Sequence, residues 1–239
     1  MSYGASVSRL SLWAGLPEVA IRLVVFDCDG VLFESEEANI AFYDRVMARA
    51  GVPAVDWRRQ QATHALASAE LFQHFYGDRP EMLAAIKEAA TATDYGPSFA
   101  LMRPRAGMRE VVGLLHGSYH TAIATNRSRT LGGVIEHFEL GFLFDFAVGA
   151  CDVERPKPDP EMLLKCVTHF GLDAGETVYV GDQEVDREAA GRAGVRFIAT
   201  GPHFAGQDFH VDELGALTGL LLDAASATAR SGQTVEVVD

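Results

Sequence analysis

Short apolar runs recur along the chain, and each ends in a polar cluster. Residues 21–26 (IRLVVF) are rich in β-branched side chains and run into Asp27, Cys28, Asp29 and Gly30, which predicts a buried strand feeding a loop. Residues 120–125 (HTAIAT) end at Asn126, 177–180 (TVYV) at Gly181 and Asp182, and 195–200 (VRFIAT) at Gly201. Helix-length segments lie between them, at 108–116, 128–138, 160–170 and 185–193. This alternation predicts an α/β fold with a doubly wound parallel sheet. Residues 144–148 (FDFAV) suit one more strand, and the prolines flanking Lys157 keep the loop after it, 149–158, out of any central strand.

Residues 36–95 differ in character. They are rich in Ala, Glu, Gln, Met and Leu, carry few strand-like runs, and are broken at Gly51, Pro53, Gly77 and Pro80, which predicts a helical insert of roughly four helices. Gly96, Pro97, Pro104 and Gly107 mark the return to the sheet. The division expected is a core of 1–34 and 98–239 with an inserted domain of 35–97. The opening segment up to Ala20, with Leu10, Leu12, Trp13 and Leu16, is expected to pack on the surface or form a contact, and the tail to hold one helix over 211–227.

Composition narrows the function. At 239 residues and 48% hydrophobic, the chain can build a full core. A formal charge of −13 repels polyanions, so nucleic acid is not an expected partner, although a small phosphate ester is still compatible. Cys28, Cys151 and Cys166 show no metal-ligand spacing and suit a reducing cytoplasm. No apolar run reaches the ~18 residues of a spanning helix, so no membrane partner is expected.

The polar residues collect at the predicted carboxyl ends of the strands, where open α/β sheets bind ligands. Across an extended stretch, Asp27 and Asp29 face one side and Cys28 the other, towards the core. Two such carboxylates suit a division of labour, one ionised and nucleophilic, the other carrying a proton. An aspartate can accept a phosphoryl group as an acyl phosphate, with Mg²⁺ holding the dianionic ester beside it and Asp182 as an extra ligand. Thr125 and Asn126 precede a predicted helix and suit phosphate binding through a hydroxyl and free N–H groups; helix capping by Asn126 or Ser128 is an equal and compatible reading. Arg127 and Ser128 follow closely enough to touch a phosphate or its neighbour. Lys157, in Arg-Pro-Lys-Pro, is a long cation on a stiff loop, suited to neutralising the nucleophile and the transferring group. Asp182 and Asp186 are four apart, so one can ligate metal while the other orients Lys157; both also read as acidic residues at a helix start.

Taken in order, FDCDGV, IATN, RPKPDP and VGDQEVD resemble the four signature motifs of the haloacid dehalogenase superfamily, from Phe26 to Asp186. The resemblance implies a Rossmann-like core, with Asp27 as nucleophile, Asp29 as general acid and base with its backbone oxygen on the metal, Thr125 and Asn126 on phosphate, and Lys157 as the neutralising cation. It also implies Asp27, Asp29 and Asp182 around Mg²⁺ and Asp186 in support. The insert is similar to the helical cap of the phosphoglycolate phosphatase and β-phosphoglucomutase branch, closing on hinges near 34–37 and 97–104. Asp29 argues against dehalogenase chemistry. Glu34 and Gln183 depart from the common pattern without removing a required role. The function expected is a phosphatase of small phosphomonoesters acting through a phosphoaspartate, as a monomer or homodimer. A sugar phosphomutase with the same nucleophile is the first alternative, and a non-catalytic scaffold the second. Substrate-selecting candidates in the insert are His64, Gln73, His74, Tyr76 and Arg79, while His137 and His169 read as structural.

Overall fold

The computed structural model describes residues 20–53, 55–57, 66–207 and 210–222. β1 (Leu23–Phe26) is buried throughout, and its side chains alternate between two cores. Val24 and Phe26 join the larger cluster and Leu23 and Val25 the smaller, which is why the run is apolar at every position. On one side of β1 lie β4 (His120–Thr125) and β5 (Phe146–Gly149); on the other lie β6 (Thr177–Gly181), β7 (Arg196–Thr200) and β8 (His210–Val211). All five pairings are parallel, in the order β5-β4-β1-β6-β7-β8. The chain therefore builds outward from β1 in both directions, and the crevice at that switch opens beside Asp27.

The helices cover both faces because each carries an apolar stripe at helical spacing. Within α5 (Met108–His116) the stripe is Met108, Val111, Val112 and Leu115, and in α7 (Glu161–Phe170) it is Met162, Leu163, Cys166 and Val167. The seven residues of α6 (Leu131–His137) bury Leu131 and Val134. In α8 (Glu184–Ala193) the buried residues are Asp186, Ala189, Ala190 and Ala193, so the periodicity that seats three small alanines on the sheet also turns one carboxylate inward.

Four helices lie among the described residues of the insert: α1 (Glu36–Ala50), α2 (Ser68–Tyr76), α3 (Pro80–Ala92) and α4 (Gly96–Phe99). Gly96 and Pro97 begin the short α4 rather than the return to the sheet, since Pro suits a first helical turn. Aromatic contacts bind the insert internally: Tyr43 packs on Trp57 at 5.4 Å and on Phe72 at 5.9 Å. Its two ends meet in an antiparallel ribbon, β2 (Phe33–Glu34) with β3 (Arg103–Pro104).

Most predicted elements lie within three residues of the observed ones. The expected tail helix starts later: Val211 belongs to β8, and helical residues begin at 216. Its end, and the expectation for the opening segment, lie outside the described residues. His137 stacks on Phe99 at 4.7 Å and His169 on Phe146 at 4.1 Å, in keeping with structural roles. Among the described residues, no helix is long and apolar enough to cross a membrane.

Candidate active site

Asp27 leaves β1 with its N–H donated to Val180 O at 2.9 Å, so the strand pairing continues to the catalytic candidate. It lines a cavity of about 440 Å³ with Asp29, Thr125, Lys157, Asp182 and Asp186, enclosed on the far side by the insert's Asn39, Phe42, Tyr43 and Tyr95. Cys28 is fully buried, and the burial holds its thiol far above the usual range, which removes it from thiolate chemistry.

Two glycines let the carboxylates converge. Gly30 has φ +80, and a Cβ there would stand 2.1 Å from Asp182 Oδ2. At Gly181 a Cβ would meet Asp186 Cβ at 2.5 Å. Both approaches would be blocked by any other residue.

Lys157 is 1% exposed, and burying an ammonium is tolerable only when it is paired. Its Nζ donates to Asp186 Oδ1 and to Tyr179 OH, each at 2.7 Å, and lies 3.0 Å from Asp27 Oδ1. The contact with Asp27 is an ion pair without hydrogen-bond alignment, because Asp27 Oδ1 counts no donor. Burial opposes the charge on Lys157, but Asp186 and Asp27 together hold the ammonium above its ordinary range. The other oxygen of Asp186 accepts the N–H groups of Asp182 and Gln183 at 3.1 and 3.0 Å. With both oxygens committed, Asp186 orients Lys157 and shapes the Asp182 loop.

Burial, opposed by Lys157 and assisted by Asp186 and Asp29, raises the Asp27 carboxyl to about 7. Asp182 is also pushed well above the usual carboxylate range, first by burial and then by Asp27 and Asp186, and its Oδ1 is buried without a donor. Lys157 and Arg127 face four carboxylates here, Asp27, Asp29, Asp182 and Asp186. The surplus of two negative charges, the orphaned Asp182 oxygen and the oxygen-only donor set fit one hard divalent cation. Ligand atoms of Asp27, Asp182 and Asp186 lie within 4.8 Å of one another. Asp27 and Asp182 are the residues left to hold it, since Asp186 is otherwise engaged.

Three expected roles look different in place. Asn126 clamps Lys157 instead of standing free for phosphate: its Oδ1 accepts Lys157 N–H at 2.9 Å and its Nδ2 donates to Lys157 O at 3.0 Å. No helix begins directly after Thr125, because Arg127 O accepts Ala150 N–H at 2.8 Å and ties that backbone to the end of β5. The helix start therefore stands at Leu131 and not at Asn126, while Thr125, Asn126, Arg127 and Ser128 all line the cavity. Arg127, expected on phosphate, turns onto Asp29, with Nη2 to Oδ1 at 2.6 Å. Burial opposes ionisation of Asp29, but Arg127, Ser35 and Asn39 outweigh it and hold the carboxyl below its ordinary range.

Of the selector candidates in the insert, those among the described residues do not line the cavity. Gln73, His74, Tyr76 and Arg79 lie at or beyond the far end of α2, where Tyr76 OH meets Met47 Sδ at 3.8 Å and Arg79 pairs with Asp78. Ser68, at the near end, does line the cavity; His64 lies outside the described residues. Asn39, Tyr95 and Tyr179 were missed by sequence reasoning, because a lone Asn in a helix or a Tyr in an apolar strand looks like any other.

The haloacid dehalogenase-like hydrolase family matches residues 24–200. A phosphoglycolate phosphatase of Pseudomonas putida is 27% identical over 202 residues, 76% of this chain and 70% of its own length. Pyrophosphatase PpaX of Halalkalibacterium halodurans is 29% identical, over 79% of this chain and 87% of its own. The crystal structure of a haloacid dehalogenase-superfamily hydrolase of subfamily IA from Geobacter sulfurreducens superposes with a TM-score of 0.66 at 36% identity, covering 84% of this chain and 96% of that one. The match spans β1 to β7 and includes every residue of the carboxylate and lysine cluster. The chain belongs to the haloacid dehalogenase-like hydrolase family, alongside relatives named as phosphatases.

Proposed function

We propose that the protein is a magnesium-dependent phosphatase of small phosphomonoesters that works through a phosphoaspartate on Asp27. The observation that carries this reading is the pairing of a buried Asp27 with Lys157 Nζ at 3.0 Å, beside an Asp182 oxygen that no donor among the described residues satisfies. The relatives named as phosphoglycolate phosphatase and pyrophosphatase support the class. Their different substrates leave the leaving group open.

Asp27 attacks phosphorus; the P–O bond to the leaving group breaks as the aspartyl P–O bond forms. Asp29, ionised in the free site because Arg127 holds its carboxyl low, takes the proton of a monoanionic ester and passes it to the departing oxygen, then takes one from the water that hydrolyses the phosphoaspartate. Lys157 neutralises charge at Asp27 and on the transferring group. Thr125 offers a hydroxyl to a phosphoryl oxygen, and the insert's aromatic wall keeps bulk water out. A bound Mg²⁺, held by Asp27, Asp182 and the backbone oxygen of Asp29, would draw charge off the phosphoryl oxygens.

The test is release of inorganic phosphate from a panel of small phosphomonoesters, with Mg²⁺ and with a chelator. Release that needs Mg²⁺ is expected. Turnover without phosphate release would replace this reading with a mutase, and chelator-insensitive release would remove the metal from it.

Metal binding is also expected to show in the stability of the fold. Saturation at about a hundredfold excess over Kd contributes ~2.7 kcal/mol, a Tm rise of roughly 5–10 °C for a chain of this size. Asp182→Asn is expected to raise the metal-free Tm, since it relieves crowded carboxylates, and to abolish the Mg²⁺ shift. A normal shift in that variant would place the cation elsewhere.

A further inference from the structure

Arg127 takes its partners from both parts of the fold. From the core side, its Nη2 and Nε lie 2.6 and 3.2 Å from Asp29 Oδ1, and Nη1 lies 3.2 Å from Thr130 Oγ1. From the insert, Asn39 Oδ1 on α1 is 3.1 Å from Nη2 and Tyr95 OH is 3.0 Å from it. The guanidinium carbon also stands 4.9 Å from the centre of the Tyr95 ring, and Tyr95 OH donates to Asn39 Oδ1 at 2.7 Å. The side chain is almost fully buried, so each partner fixes it in a dry setting where hydrogen bonds hold geometry firmly.

All the hydrogen bonds found on the Asp29 carboxylate converge on Oδ1: Arg127, Ser35 Oγ, and Asn39 Nδ2 at 3.4 Å. That leaves Oδ2 for a substrate atom. We propose that Arg127 is a positioning residue that aims the Asp29 carboxylate at the leaving group and is itself held in place by Asn39 and Tyr95, so that the seating of the insert governs proton transfer. The inference rests on reading Asp29 as the general acid and base. A planar fork is needed for it, because the Nε–Nη2 edge must hold Asp29 while Nη2 and the guanidinium face reach Asn39 and Tyr95 of the insert; a lysine keeps the charge and loses the fork.

The experiment compares wild type, Arg127→Lys, Tyr95→Phe and the double variant, reading kcat on a small phosphomonoester, the inhibition constant of inorganic phosphate, and Tm. Arg127→Lys is expected to lower kcat by about tenfold or more, within the hundredfold that small misplacement costs. Tyr95→Phe is expected to lower it by about threefold, and the double variant to be no worse than Arg127→Lys, since both act along one path. The phosphate inhibition constant is expected to stay within about twofold throughout. If Arg127→Lys fails to fold, Tyr95→Phe alone decides by the same split between kcat and phosphate inhibition. An unchanged kcat, or a phosphate inhibition constant that weakens in step with it, overturns the inference; the second result would return Arg127 to direct phosphate binding. No phosphate release from wild type would overturn the phosphatase reading, and this inference with it.

Discussion

Asp27→Asn is expected to lower phosphate release by about 10⁴-fold or more, the scale on which loss of a nucleophile acts, while the protein stays folded. Asn matches Asp in shape but cannot form the acyl phosphate. It also removes one negative charge from a cluster in which Asp27 is already pushed up to about 7 by burial. The metal-free variant is therefore expected to melt at or above the wild-type temperature, since residues placed for chemistry are seldom placed for stability. Steady-state phosphate release and a thermal melt check both parts. Full activity in the variant would rule out Asp27 as nucleophile, and loss of activity through unfolding would show as a lowered Tm.

Lys157→Met is expected to lose both activity and stability. Its ammonium serves Asp27 and Asp186 at 3.0 and 2.7 Å, and all three side chains are nearly fully buried. Removing one partner of a buried ion pair costs about 3–5 kcal/mol, because the other charges remain buried. Loss of a preorganised electrostatic group at the reacting atoms costs about 10²–10³ in kcat. The two effects separate in the double variant Lys157→Met/Asp186→Asn, which removes an orphaned carboxylate. Recovery of a good part of the Tm with no recovery of activity is expected. If activity returned as well, Lys157 would be only a scaffold for the loop.

The sign of the pH dependence follows from two ion-paired groups of the site, Lys157 with Asp186 and Asp27, and Asp29 with Arg127. Lys157 is held above its ordinary range in the fold, so its stabilising contribution is complete below the unfolded pKa and fades as pH rises through the folded one. Asp29 is held below its range, so its contribution is present above the unfolded pKa near 3.8 and is lost as pH falls through the folded one.

The sheet was legible because burial on both faces forces an apolar residue at every position. Residues 21–26 and 177–180 gave β1 and β6 on that ground. Loops at the strand ends were legible because chemistry needs charged residues where packing would exclude them: Asp27, Lys157, Asp182 and Asp186 do meet around one cavity. β2, β3 and β8, two residues each, are too short for any period to register. The helix expected at 128–138 begins at Leu131, since Arg127 O is drawn to Ala150 and no local propensity reports that long-range bond. The same limit hid the engagements of Arg127 and Asn126. Sequence identifies a cation or an amide beside a motif, but Asp29, Tyr95 and the Lys157 backbone compete for them only in three dimensions. Selectivity was the least legible, because the near wall of the insert is built by Asn39, Phe42, Tyr43, Ser68 and Tyr95, which are ordinary helix and core residues outside this fold.

The most direct measurement is to quench wild-type protein during turnover of a phosphomonoester with Mg²⁺, reduce it with borohydride, and map the modified residue by peptide mass spectrometry. The account predicts reduction of one side chain to homoserine at position 27, dependent on substrate and absent in Asp27→Asn. Turnover with no reducible acyl phosphate on Asp27, or with the label on another carboxylate, would contradict it.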